Sequence, residues 1–140
     1  MSSEFERMLE ERRLTRFKAD RGLIRKEIRE AEADLNDAEE SLERSKFKWA
    51  TIQGYYSMFH SARALVYNKG FREKSHYALL VALRNLLATE LGTKPIGDFE
   101  EAMSLREEAD YGLAFSETGA KETIEAARAF LKKAKEVLRI

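Results

Sequence analysis

The sequence predicts an all-α protein, an antiparallel up-down bundle of four to five long helices with an extra short helix at the N-terminus. Three observations carry this. One proline, Pro95, and seven glycines in 140 residues leave few helix breakers. Apolar residues recur at three- and four-residue steps over long stretches, the period of one helix face. Strand-like alternation is evident nowhere, and short connections between long amphipathic segments favour antiparallel neighbours.

The elements follow in order. A short helix is expected from about Glu4 to Lys18. A second runs from about Gly22 to Arg44, with Leu23, Ile24, Ile28, Ala31, Leu35, Ala38 and Leu42 on one stripe. A third spans about Phe47 to Asn68. The turn before it, at Ser45-Lys46, is weakly marked, and Gly70 is a plausible stop after it. Phe71-Arg72-Glu73-Lys74 reads as a linker. Ser75 suits the N-cap of a fourth helix reaching about Leu91. Gly92 to Gly97 reads as a loop, and Asp98 as the cap of a fifth helix ending near Tyr111-Gly112. Residues 113–118 read as a loop. The last helix runs from about Gly119 to Leu138, with Ile124, Ala127, Leu131, Ala134 and Leu138 on one face. The pairs Lys26–Glu30, Glu40–Arg44, Lys121–Glu125 and Lys132–Glu136 are spaced for ion pairs along solvated faces.

The length fits one domain over residues 1–140, with 1–18 as the short N-terminal helix and 19–140 as the bundle. There is no cysteine, so neither a disulfide framework nor a thiolate site is expected. No signal-peptide pattern opens the chain. The longest apolar run, Ala78 to Ala88, is broken by Arg84 and Asn85 and is too short to span a bilayer. No membrane association and a cytoplasmic location are the expectations. Twenty-five basic residues balance 25 acidic ones, so nucleic acid would have to be drawn by a local cluster. The charged fraction of 36%, with one glutamine and three asparagines, is the pattern reported for thermophile proteins.

The usual chemical motifs are missing. His60 and His76 are sixteen residues apart on different helices and make no metal pair by spacing, so no metal and no cofactor are expected. Three stretches stand out. Trp49 to Leu65 is aromatic with small residues interleaved. It reads most simply as a central helix whose Gly54, Ser57, Ser61 and Ala62 admit close neighbours, with His60 a hydrogen-bonded core or interface residue. The sharper alternative puts His60 and Arg63, one turn apart, in a polar cleft. Lys74-Ser75-His76 opens a helix, where free amides and the helix dipole favour an anion and Arg72 would add a donor; a plain capped terminus is the bland alternative. In Leu105 to Gly112, Arg106 and Asp110 are spaced for an intrahelical ion pair that would also hold the guanidinium in place.

In order and spacing, Tyr55-Tyr56-Ser57-Met58-Phe59-His60-Ser61-Ala62-Arg63-Ala64-Leu65, then Lys74-Ser75-His76, then Arg106-Glu107-Glu108-Ala109-Asp110-Tyr111-Gly112 resemble the HEPN family of nucleotide- and RNA-associated domains, over roughly residues 15–138. The resemblance is to small stand-alone prokaryotic members. It implies a helical bundle that usually dimerises, often beside a minimal nucleotidyltransferase in a toxin–antitoxin-like system, with a nucleotide or RNA as ligand. Many members are metal-independent ribonucleases whose motif is an arginine, four to six residues, then a histidine. Arg106 matches the arginine, but Tyr111 stands in the histidine's place, and Leu113 stands where a tyrosine receives a nucleotide in modified members.

Tyrosine, with a pKa near 10, is locked as a donor at neutral pH where a histidine would titrate. Glu107 and Glu108 also set negative charge beside a phosphate. The expectation is a binding module with a degenerate catalytic pair, Arg106 and Tyr111. The ligand would be held by Arg106, Asp110, Tyr111, His60, Arg63, Lys74, Ser75 and His76. An active ribonuclease using His60 or His76 as the base, and a purely structural dimer, are the alternatives. The rings of Tyr55, Tyr56, Phe59 and Tyr67 exceed what one helix of a small bundle is expected to bury alone, which also points to a dimer.

Overall fold

The computed structural model describes residues 2–110 and 115–140, with all their side chains except those of 109 and 110. The expectations placed on Tyr111, Leu113 and the Asp110 side chain therefore lie outside the described residues. Helices α1 (Ser3–Glu10), α2 (Arg21–Glu43), α3 (Phe47–Asn68), α4 (His76–Leu86), α5 (Ala88–Leu91), α6 (Thr93–Asp110) and α7 (Glu117–Leu138) make the bundle. Two three-residue strands, β1 (Leu14–Arg16) and β2 (Phe71–Glu73), form an antiparallel ribbon. The bundle agrees with the sequence reading; the ribbon does not.

Helix α3 is the axis. It is apolar on nearly every side, and α2, α7, α6 and α4 all pack against it. Small residues set the spacing. A Cβ on Gly54 would come within 3.0 Å of the Thr123 methyl on α7. Ser57, fully buried, donates from its hydroxyl to the Ala31 carbonyl of α2 at 2.8 Å. The α2–α3 turn is a Schellman motif. The Lys46 N–H reaches the Ser41 carbonyl at 2.8 Å and the Ser45 N–H the Leu42 carbonyl at 3.0 Å, with Ser45 left-handed at φ 58°. Serine in place of the usual glycine is why the sequence marks this turn only weakly.

Five expectations need correction. The fourth helix ends at Leu86 rather than near Leu91, and the short α5 follows it. The first helix stops at Glu10 rather than near Lys18. A second Schellman turn ends it, with Arg12 left-handed at φ 58°, and the chain then enters β1. Neither glycine nor asparagine announces that stop. The linker 71–74 supplies β2, and three residues per strand are too few to show alternation. The segment from Gly92 to Gly97 is not a loop, since α6 begins at Thr93. Pro95 falls within the first turn, where its missing N–H is not needed. Finally, Lys121 pairs with Glu117, not Glu125, at 3.5 Å. Among the described residues the other three spaced pairs make no ion pair.

The N-terminal segment shares the core. Phe5, Met8 and Leu14 are buried with the bundle residues, and Phe5 meets Phe71 edge-on at 5.5 Å. Tyr77 donates to Glu4, and the Ser2 N–H to Asn85, which ties α1 to α4. Among the described residues no helix is long and apolar enough to cross a membrane.

Candidate functional site

Solvent reaches α3 along one line. From Ala50 to Tyr67 every residue is buried except Gln53, Tyr56, His60 and Arg63, which recur at steps of three and four. Trp49, 51% exposed, begins the same line. A stripe of this period on an otherwise apolar helix is the floor of a groove. Helix α2 makes one wall, to which Gln53 is tied by its amide nitrogen donating to the Ser41 hydroxyl at 2.6 Å. The other side is made by β2, α4 and α6.

One end of the groove is an acid-rich cluster. His60 Nδ1 lies 2.6 Å from Glu27 Oε2, and its Nε2 lies 3.6 Å from Asp34 Oδ2. An ionised carboxylate only accepts, so Nδ1 carries the hydrogen and Nε2 turns toward Asp34. Burial raises the Asp34 carboxyl above its ordinary value, with the nearby His60 charge partly opposing. Arg63 donates through Nε and Nη2 to Glu73 Oε2 at 3.0 and 2.7 Å, and its Nη1 lies 3.6 Å from Glu27. Its guanidinium also rests on the Phe59 ring, 4.8 Å from the centroid. Burial works against the Arg63 charge, but the Glu73 hydrogen bond and charge outweigh it and hold the pKa raised. Glu73 is deeply buried, and its second oxygen, Oε1, makes no hydrogen bond among the described residues. Three carboxylates around one guanidinium and one imidazole disfavour a phosphate at this end.

The other end is aromatic and cationic. Tyr55 OH lies 2.5 Å from His76 Nδ1, and the His76 ring packs on Phe59 at 4.7 Å between centroids. Burial pushes the Tyr55 phenol far above its ordinary value of 10, the Arg106 charge only partly offsetting it. The phenol therefore keeps its hydrogen, and its contact with Nδ1 ties the hydroxyl to the imidazole tautomer: a neutral ring that accepts at Nδ1 carries its own N–H on Nε2. Arg106, half-buried on α6, sits over the rings of Tyr55 at 5.4 Å and Tyr56 at 6.0 Å. An anion here would meet a guanidinium and an imidazole beside the partly exposed Tyr56 ring.

The three sequence motifs thus converge on one groove from α3, α4 and α6. Arg106, Tyr55 and His76 meet at one end, and His60 with Arg63 at the other. Ser75 caps α4, its hydroxyl accepting the Ala78 N–H at 3.0 Å. Lys74 is exposed, and its backbone N–H donates to Arg13 across the ribbon. Sequence reasoning missed Gln53 and Tyr56, and also the carboxylates Glu27, Asp34 and Glu73. Glu27 did leave a signal, for it falls on the apolar stripe of α2 between Ile24 and Ile28. Of the four rings expected to need a second subunit, only Tyr56 stays partly exposed. Tyr55, Phe59 and Tyr67 are all buried within one chain, because His76, Phe99 and Phe17 close over them. Among the described residues no group of three or more His, Asp or Glu could hold a metal ion.

The HEPN domain model matches residues 24–140. The chain belongs to the HEPN family. A UPF0332 protein of Archaeoglobus fulgidus is 31% identical over 112 residues, covering 77% of this chain and 89% of that one. The crystal structure of TT1696 from Thermus thermophilus superposes with a TM-score of 0.64 over 81% of this chain and 96% of that chain. At 18% identity it speaks to the fold alone. HEPN domains are generally nucleotide- or RNA-related modules and often dimerise. In this HEPN protein, α1, β1 and the first residues of α2 precede the matched region.

Proposed function

We propose that the chain is a binding and interaction module that takes a nucleotide or RNA phosphate at the Arg106 end of the α3 groove. It works as a homodimer beside a minimal nucleotidyltransferase, in a toxin–antitoxin-like pair. The observation that carries this reading is the placement of Arg106 over Tyr55 and Tyr56, with His76 held beside them by the Tyr55 hydroxyl. A guanidinium meets phosphate through parallel hydrogen bonds, and an aromatic floor accepts a base. The exposed Trp49 at the start of α3 supports association with a second chain. The partner and the toxin–antitoxin setting come from the family resemblance.

The motif's second member is Tyr111, so cleavage is not expected. Wild-type protein leaves a fluorescent RNA intact at useful enzyme concentrations, and Tyr111→His raises whatever trace remains, since a titrating general base contributes about 10² to 10⁴ in rate. Brisk wild-type cleavage lost in Arg106→Ala would overturn this.

One arrangement favours a ribonuclease instead. Glu27 holds His60 by Nδ1 and leaves Nε2 facing Asp34 at 3.6 Å, as an orienting carboxylate fixes a catalytic imidazole. Brisk cleavage abolished by His60→Ala but not by Arg106→Ala would establish that reading.

A further inference from the structure

The region ahead of the HEPN match joins β2 to make a charged surface. Residues 12–18 hold four cations and no carboxylate, in a chain whose charges balance overall. The ribbon sorts them. Leu14 pairs with Glu73, Thr15 with Arg72 and Arg16 with Phe71, while the Lys74 N–H reaches the Arg13 carbonyl at 2.8 Å and the Phe17 N–H the Gly70 carbonyl at 2.9 Å. Side chains alternate across a strand, so Arg13, Thr15, Phe17, Arg72 and Lys74 share one face. Leu14, Phe71 and Glu73 on the other face are buried.

On the outer face Arg13 stands directly opposite Lys74, with Arg72 on the diagonal. Opposed Cβ atoms in such a pair are about 5 Å apart and diagonal ones about 7 Å. Like charges so placed repel one another. Some cations elsewhere are answered, as in Lys69–Glu90, Arg84–Glu100, Arg128–Glu39 and Lys135–Glu32, while those without an ion pair among the described residues, such as Lys26 and Lys132, lie on helices whose surfaces also carry carboxylates. Among the described residues no carboxylate lies within ion-pair distance of Arg13, Arg16, Lys18, Arg72 or Lys74; Glu73, between two of them, is spent inward on Arg63. Arg72 is instead steadied over the partly exposed Phe17 ring, 5.3 Å from its centroid. A shallow cavity of about 460 Å³ opens beside it, lined by Arg16, Phe17, Lys18 and Tyr67 among others.

We propose that the outer face of the β1–β2 ribbon is a docking surface for the sugar–phosphate backbone of a single-stranded nucleic acid. Uncompensated cations concentrate polyanions. The face is only three residues long, short for a duplex footprint, and it carries a ring on which a base can stack. The surface goes beyond the groove reading: β2 borders the groove through Glu73, but Arg13, Arg72 and Lys74 lie on the opposite face of the ribbon.

The test is fluorescence anisotropy with a labelled twelve-nucleotide oligouridylate between 50 and 200 mM salt. The wild type is compared with the triple variant Arg13→Gln/Arg72→Gln/Lys74→Gln, the single variant Lys74→Glu and a control, Lys132→Gln/Lys133→Gln on α7. The triple variant is expected to bind at least tenfold more weakly, with a salt slope lower by about 2, three phosphate contacts at about 0.7 each. Lys74→Glu weakens binding in the same direction should the triple variant fold poorly, and the control matches wild type. Wild-type binding with an unchanged slope in both ribbon variants overturns the proposal while leaving the groove reading intact. A ribbon-dependent loss with Arg106→Ala unaffected upholds the ribbon and sinks the groove. Absence of oligouridylate binding, with ribbon-dependent binding to phosphatidylserine vesicles instead, overturns the nucleic-acid reading in favour of a membrane surface.

Discussion

The Tyr55 hydroxyl and Nδ1 of His76 meet at 2.5 Å, joining the middle of α3 to the first residue of α4. Burial keeps the phenol protonated, so this contact couples its hydroxyl to the tautomer of the imidazole. Tyr55→Phe keeps the ring under Arg106 and removes only the donor. Stability is expected to fall by about 1 kcal/mol, a typical net hydrogen bond. The His76 ring-nitrogen chemical shifts move as the tautomer balance relaxes. Unchanged shifts in the variant would show that the hydroxyl does not set the tautomer.

Asp34 gives a pH signature. Burial raises its folded-state pKa above the ordinary 3.8, so the folded protein disfavours the ionised form. The charged carboxylate therefore costs stability at neutral pH, and the cost fades as pH falls through the raised value and is gone below about 3.8. Asp34→Asn is expected to raise the melting temperature at pH 7 by about 2 °C. The gap closes in acid. An Asp34→Asn protein that melts lower than wild type at pH 7, with the deficit vanishing in acid, would mean that the His60 attraction dominates instead.

Ser45 is the third test. It occupies the left-handed position of the α2–α3 turn at φ 58°, where a Cβ is strained. Ser45→Gly keeps both Schellman bonds, removes that strain and is expected to stabilise by about 0.5–1 kcal/mol in thermal or urea unfolding. Destabilisation would mean that the freer unfolded chain outweighs the relieved strain.

These tests also mark where the sequence was readable. Helices α2 and α7 showed in their apolar periodicity, α3 in its aromatic and small residues, Ser75 in its capping chemistry and Gly70 as a positive-φ stop. Left-handed Arg12 and Ser45 carry no glycine signal, so one helix end was overshot and one turn read faintly. Pro95 and Gly97 read as a loop because composition does not reveal that the helix starts at Thr93. At the site, the cations and imidazoles were legible as motif members. Their carboxylate partners were not, because Glu27, Asp34 and Glu73 reach them only through the packing of α2 and β2 against α3.

The groove itself is tested most directly at Arg106. Its guanidinium is the cation brought over Tyr55 and Tyr56, and phosphate binding should depend on its paired donors rather than on charge alone. The measurement is equilibrium binding of a labelled RNA and of a labelled nucleotide to wild type, Arg106→Lys and Arg106→Ala, each checked for unchanged helicity. Both ligands are expected to weaken by about tenfold or more in Arg106→Ala, with only partial recovery in Arg106→Lys. Equal affinity for wild type and a folded Arg106→Ala protein would contradict the assignment of the α3 groove as the binding site.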